Sequence, residues 1–240
     1  MKLDVSSLQS VREFVKVFKE RADRLDILIN NAAVNAAPLS STEDGLVLTY
    51  ATNHFGPFLL TNLLLEHMSK SGTETRVVNV GSLSHVTADL DLDYITPHKA
   101  KHYIDSLQKN MIKKKDDLLL YQNSKLMVLM FTFELARRLK GRHVTVNCVQ
   151  PGIVATRMME DEKHFFRNLI MKLLKPFARG TEDGCQPILH CALSSDLYSV
   201  SGKYFGNCVE DHSLHPMALD EQMCKQLWRI SENFTRLTDS

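Results

Sequence analysis

Residues 76–82 read Arg76-Val77-Val78-Asn79-Val80-Gly81-Ser82. A short apolar run stopped by glycine and serine is the pattern of a buried strand ending at a turn. Two other stretches share it. Leu25 to Ile29 closes on Asn30-Asn31, and Val144 to Val149 closes on Pro151-Gly152. Helical periods lie between and around them. Ser6 or Ser7 caps a first helix, in which Leu8, Val11, Phe14, Val15 and Phe18 share one face. Further helices run from about Gly45 to Met68, from Leu119 to Leu139 and from Thr181 to Leu193. Lys203 to Val209 reads as a last strand, and residues 216–235 as a terminal amphipathic helix. Strands alternating with helices predict an α/β fold, a parallel sheet flanked by helices. No repeat, low-complexity linker or second domain is visible across residues 1–240.

The 240 residues are 44% hydrophobic and 24% charged, ordinary for a globular chain and unlike a disordered or disulfide-scaffold one. The formal net charge of +1 gives no global reason to seek nucleic acid or an anionic membrane. The one basic run, Lys113-Lys114-Lys115, is followed at once by Asp116-Asp117 and reads as a solvated loop. The five cysteines form no CxxC pair and show no zinc-site spacing, so no metal is expected. They read as reduced thiols of a cytosol-facing protein, mostly buried. No stretch has the apolar length of a membrane span, and Met1-Lys2-Leu3-Asp4 lacks signal-peptide organisation. Residues 86–117 read as a long polar surface excursion, and 156–179 as a mobile helical flap.

Tyr121-Gln122-Asn123-Ser124-Lys125 carries the chemistry. Tyrosine and lysine at i and i+4 of a helix project from one face. A free tyrosine has a pKa near 10, and a nearby cation favours the phenolate. Such a pair can exchange a proton with an alcohol or a carbonyl near neutral pH. Alone, the spacing is more often the mark of a surface pair, and Ser82 alone is equally a turn residue. Placement adds weight. In an open parallel sheet the carboxyl ends of strands face the ligand crevice. Ser82, Asn30-Asn31-Ala32-Ala33 and Pro151-Gly152-Ile153-Val154-Ala155-Thr156 all follow strand ends. Ser82 is then placed to hydrogen-bond the substrate oxygen that Tyr121 protonates.

Together these residues resemble the short-chain dehydrogenase/reductase family, over nearly the whole chain. The family's Asn-Asn-Ala-Gly motif appears as Asn30-Asn31-Ala32-Ala33, and its Ser/Tyr/Lys triad as Ser82, Tyr121 and Lys125. The helix asparagine of the family falls on Asn53, within Thr52-Asn53-His54-Phe55-Gly56-Pro57. That stretch, Glu134-Leu135-Ala136-Arg137-Arg138-Leu139 and Ser201-Gly202-Lys203-Tyr204-Phe205 are most similar to the retinol dehydrogenase-like branch. The resemblance implies a Rossmann fold, a nicotinamide cofactor (NADP favoured over NAD) and an alcohol or lipid-aldehyde substrate such as retinol or retinal. It implies Tyr121 as acid/base, with Lys125 lowering its pKa and holding the nicotinamide ribose. Ser82 polarises the carbonyl, and Asn53 holds a water that relays the proton from Lys125. Asp4, at the end of a leading strand, meets the adenine, and Asn31, Ala32 and Ala33 pass under its ribose. Pro151, Gly152, Ile153, Val154 and Thr156 line the nicotinamide. Pro57, four residues after Asn53, has no amide to bond the Asn53 carbonyl, so the helix should kink and free that carbonyl for the water.

Three features depart from the family. Ala33 replaces a glycine, tolerable only at negative φ. The Ser82–Tyr121 separation is long, which makes 86–117 an insertion over the substrate side. No glycine-rich turn occurs, so the expected fold is a Rossmann-like sheet lacking its first two strands and the phosphate cradle. That leaves Leu25 to Ile29 as an apolar edge and opens a second reading, a catalytically inactive truncated isoform acting through protein–protein contacts. The apolar circumference of the 119–139 helix, with Val128, Leu129, Phe131 and Phe133, fits a homodimer face or ordinary core packing.

Overall fold

The computed structural model describes residues 1–35, 40–69, 73–95, 113–152 and 180–237. Among the described residues five strands form one sheet in sequence order: β1 (Ile27–Asn30), β2 (Thr75–Val80), β3 (Val144–Gln150), β4 (Tyr204–Gly206) and β5 (Val209–Glu210). The first four pair in parallel and β5 runs antiparallel to β4. The helices are α1 (Leu8–Arg21), α2 (Gly56–Ser69), α3 (Lys113–Arg138), α4 (Thr181–Leu193) and α5 (Glu221–Thr235). The predicted α/β class and the three early strands are present.

Each side chain's period assigns it a face. On β2 and β3, Val77, Val144 and Val146 pack with Phe58, Phe131, Leu135 and Trp228, from α2, α3 and α5. Val78, Val80 and Val149 face the other way, onto Cys191 and Ala192 of α4. Both faces of the two central strands are therefore covered, which explains why they read as continuous apolar runs. On β1 the alternation reaches Ile29, which shares its face with Val78 but is 40% exposed. α1 follows the expected pattern, with Ser7 capping the Ser10 amide and Leu8, Val11 and Val15 buried.

Several expectations need correction. Residues 1–4 form no strand. Asp4 instead takes hydrogen bonds from the Ser6 amide and hydroxyl at 2.9 and 2.6 Å, in the turn before α1. Gly45 has a φ of 75° in the turn ahead of the helix, not inside it. That helix starts at Leu48 and is interrupted by a π turn, Ala51–Phe55. The backbone of Lys113–Asp117 is helical, so the charge run opens α3 and is not a loop. Residues 86–95 are not a polar excursion: Leu90, Leu92 and Ile95 are buried in the main core. The last strand is split by Asn207 and Cys208, whose φ values of 57° and 64° make a tight hairpin turn. The terminal helix is broken at Asp220, whose carboxylate caps the Gln222 and Met223 amides of α5.

Val128, Leu129, Phe131 and Phe133 are buried within this one chain. Core packing, not a dimer face, accounts for the apolar circumference of α3. The flap expected over 156–179 lies outside the described residues, as do 96–112. All five cysteines are free thiols, and Cys148, Cys191 and Cys224 are buried. Among the described residues no cluster suits a metal, and no helix is long and apolar enough to cross a membrane.

Candidate active site

Parallel pairing forces the carboxyl ends of β1, β2 and β3 to one edge, so Asn30-Asn31, Gly81-Ser82 and Pro151-Gly152 lie along it. α3 crosses the same edge and brings Tyr121 and Lys125 down onto β2. Ser82 lies beside the half-buried Tyr121, near enough for its side chain to favour the phenolate. Ser82 Oγ also accepts from the Ser84 hydroxyl at 3.0 Å, which leaves its own proton for the tyrosine oxygen. Lys125 is 4% exposed, and its Nζ donates to the Val80 carbonyl at 2.8 Å. The same Nζ is 5.6 Å from the Tyr121 ring centre. Candidate residues separated by 43 positions of sequence thus meet at the end of one strand.

The ionisation balance differs from the expectation. Burial raises the Tyr121 pKa above its usual value, and Ser82 offsets this only in part. Burial lowers that of Lys125 to about 8, with Cys148 acting weakly the other way. In the chain by itself, desolvation outweighs the cation's pull on the phenol. Cys148, beneath the lysine, is itself pushed up to about 12 by burial and stays a thiol.

Asn53 sits in the middle of the π turn. Its Nδ2 donates to Ser124 Oγ and to the Val34 carbonyl, both at 2.9 Å, and its Oδ1 accepts from the Val34 amide at 2.8 Å. One buried carboxamide therefore ties the loop after β1 to the helix turn that carries Tyr121 and Lys125. The irregularity predicted at Pro57 appears one turn earlier, as a widening from Ala51 to Phe55. There the Gly56 amide reaches the Ala51 carbonyl, and Pro57 offers none to Asn53. A small cavity of about 10 Å³ is lined by Ala32, Asn53, Pro57, Val80 and Lys125, among others. That is about the room of one water.

Asn31 and Ala32 are exposed at the crevice rim, and Ala33 is half-buried. Ala33 is not among the residues of positive φ, so its methyl costs no backbone strain. Gly152 takes a φ of 79° just after β3. Ile153, Val154 and Thr156 lie outside the described residues, and Asp4 is held in its own turn ahead of α1. A larger cavity, about 820 Å³, opens at the opposite edge of the sheet beside Val144, Thr145 and Gly202, and no triad residue lines it.

Sequence reasoning missed the supports beneath the triad. Asn30 Nδ2 donates to Thr61 Oγ1 at 2.9 Å and to Asn79 Oδ1 at 2.8 Å, and Asn79 donates on to Thr132 Oγ1 at 2.9 Å. A polar residue inside an apolar strand, as Asn79 is, was the available signal. Ser124 and the Val80 carbonyl gave none.

A parallel sheet covered by helices, with hydroxyl, ammonium and carboxamide groups gathered at its carboxyl edge, defines a Rossmann-type protein. A solved protein from Mycobacterium paratuberculosis superposes with a TM-score of 0.71 at 28% identity, covering 98% of this chain and 75% of that one. Pseudomonas aeruginosa RhlG, solved as an active-site complex with NADP, shares the fold at a TM-score of 0.60 and 21% identity, covering 86% of this chain and 73% of that one.

Residues 1–90 and 109–165 match the short chain dehydrogenase family model, and the chain belongs to that family. It is 39% identical over 235 residues to human (Homo sapiens) retinol dehydrogenase 14, covering 96% of this chain and 64% of that protein. It is 35% identical over 239 residues to human retinol dehydrogenase 13, covering 98% and 68%. The chain spans about two thirds of the length of these curated relatives.

Proposed function

We propose that this chain interconverts an alcohol and a carbonyl, with a lipid aldehyde such as retinal as the substrate class and NADP(H) or NAD(H) as the cofactor. The observation that carries the reading is the Ser82–Tyr121 hydroxyl pair set over the buried Lys125 ammonium at the carboxyl edge of the sheet. Resemblance to retinol dehydrogenases supports the substrate class, and the NADP bound to the fold neighbour supports a nicotinamide. The residues present fit one half of such a cofactor. Lys125 and Tyr121 would hold the nicotinamide ribose, with Pro151 to Val154 and Thr156 beside the nicotinamide and Asn31 to Ala33 under the adenosine ribose. The sequence has no glycine-rich turn to cradle the diphosphate.

When bound, the nicotinamide supplies or accepts the hydride. Tyr121 gives its phenolic proton to the substrate oxygen in reduction and takes it back in oxidation. Ser82, released from Tyr121, donates its hydroxyl proton to the same oxygen and fixes its position. Lys125 holds the phenolate that results, since a cation on that side of the ring favours the charged form. Asn53, through Ser124 and Val34, keeps the lysine turn and the rim loop in register. The cavity beside Asn53 and Lys125 suits the water of a proton relay. Residues 1–240 act as one Rossmann-type unit in this reading, and the free thiols favour a reducing, cytosol-facing setting.

A second reading, a non-catalytic chain acting through protein contacts, is favoured by the edge strand. Among the described residues β1 pairs with β2 alone, and its Ile29 is 40% exposed.

The two separate in a fluorescence titration of the chain with NADPH and then NADH, followed by retinal reduction. Saturable micromolar binding, with turnover lost in Tyr121→Phe, supports the oxidoreductase. A folded chain that binds neither nucleotide overturns it.

A further inference from the structure

His85 has no part in the function proposed above, yet it is 1% exposed and both ring nitrogens meet backbone carbonyls. Its Nδ1 lies 2.7 Å from the Ser82 oxygen and its Nε2 lies 2.9 Å from the Ser213 oxygen. A carbonyl only accepts, and a neutral imidazole has one N–H. A neutral ring would set a lone pair against one of the two oxygens, whereas the imidazolium satisfies both. The surroundings are charged. Burial and the nearness of His85 hold His215 below its ordinary pKa, against the opposing pull of Ala88 and Asp89, while Asp211, bonded to Ser213 and facing His85, is held below its own. Tyr204 of β4 meets the ring edge-on, with centres 5.0 Å apart. From α3, the neutral Asn123 bonds the Asp89 backbone four residues after His85.

The two carbonyls belong to different parts of the site. The Ser82 carbonyl also accepts the His85 amide at 3.2 Å, closing the short 3-10 turn Leu83–Thr87 that Ser82 caps. Ser213 lies 128 residues after His85, in the segment between β5 and α5. We propose that His85 is a positioning residue for Ser82: protonated on both ring nitrogens, it clamps the serine turn to the C-terminal segment at Ser213 and so holds the Ser82 hydroxyl against Tyr121. The segment after β5 then becomes part of the active-site scaffold. This rests on the reading of Ser82 and Tyr121 as acting together.

The test has two parts, neither of which needs turnover. The first is nitrogen-15 NMR of histidine-labelled chain at pH 6, with His85→Phe assigning the signals. Both His85 ring nitrogens should appear protonated, and a single N–H overturns the clamp. The second is hydrogen exchange at the Ser84 amide, which bonds Ser82 Oγ at 3.3 Å. His85→Phe keeps the ring against Tyr204 and removes both bonds. It should speed Ser84 exchange at least tenfold and leave the β2 amides unchanged. His85→Asn, whose Nδ2 stands where Nδ1 stood, keeps the Ser82 bond but not the Ser213 one and should restore protection only in part, and full restoration would overturn the role of Ser213. Unchanged Ser84 exchange in folded His85→Phe overturns the proposal. If that variant does not fold, the wild-type ring signals and the His85→Asn exchange decide it. Where the chain turns over, His85→Phe should lower kcat about tenfold at unchanged KM. A chain with the clamp but no turnover refutes the oxidoreductase reading alone.

Discussion

The Lys125 ammonium donates to the carbonyl of Val80 across 2.8 Å, inside the protein and at the last residue of β2. This bond fixes the height of α3 above the sheet, and with it the place of Tyr121 one turn earlier. It also puts a charge where water cannot reach it.

Burial of that charge predicts a pH signature. Lys125 titrates near 8 in the folded chain and at 10.5 when exposed, so between these values the unfolded chain holds more protons. Stability contributed at this site therefore rises from pH 8 to 10.5 and is lost as pH falls back toward 8. Urea unfolding of wild type and Lys125→Met should give a stability difference, wild type minus variant, that grows across this window. A difference flat with pH would refute the assignment.

Asn53 makes three hydrogen bonds from one buried carboxamide. Asn53→Ala strands the Val34 amide and carbonyl, and should cost roughly 2–4 kcal/mol in urea unfolding. Asn53→Asp keeps the acceptor for the Val34 amide but not the two donors, and should not recover the loss.

Gly81 touches the thiol beneath the lysine. A methyl on its Cα would stand 2.7 Å from Cys148 Sγ. Gly81→Ala should destabilise the chain by roughly 1–3 kcal/mol. The strain is specific to one atom, so Gly81→Ala in a Cys148→Ala background should cost clearly less than the sum of the single changes. Additive costs in this double-mutant cycle would argue that the backbone, not the thiol, rejects the methyl.

The hairpin between β4 and β5 offers a stabilising change. Cys208 holds a φ of 64°, a left-handed conformation disfavoured by roughly 1–2 kcal/mol for a residue with a side chain. Cys208→Gly creates the Asn-Gly pair that such turns prefer and should stabilise by about 1 kcal/mol in thermal or urea unfolding. A loss of stability would mean that the half-buried thiol packs more usefully than the turn is strained.

Much of the fold was legible from local pattern. The runs Ile27–Asn30, Thr75–Val80 and Val144–Gln150 are apolar because neighbours or helices cover their faces, and glycine, serine or proline marks where each stops. Where elements end on a capping side chain or a left-handed turn, the sequence was read too coarsely. Asp220 splits one expected helix and Asn207-Cys208 splits one expected strand, since a single hydrogen-bonding carboxylate or a φ sign outweighs hydrophobic period. The stretch from Leu90 to Ile95 carries no legible signal of burial, because three buried side chains among acidic ones make no periodic pattern.

The sequence by itself determined the α/β class and the family, and it singled out Ser82, Tyr121, Lys125 and Asn53 as candidates, because spacing along a helix and position after a strand are local properties. Only the tertiary structure decided that burial raises Tyr121 and lowers Lys125, that Asn53 grips Val34 and Ser124, and that His85 spans from Ser82 to Ser213. Desolvation depends on everything packed around a group, and a hydrogen bond between positions 85 and 213 depends on the folded path between them. Neither is written in the neighbourhood of the residues that feel it.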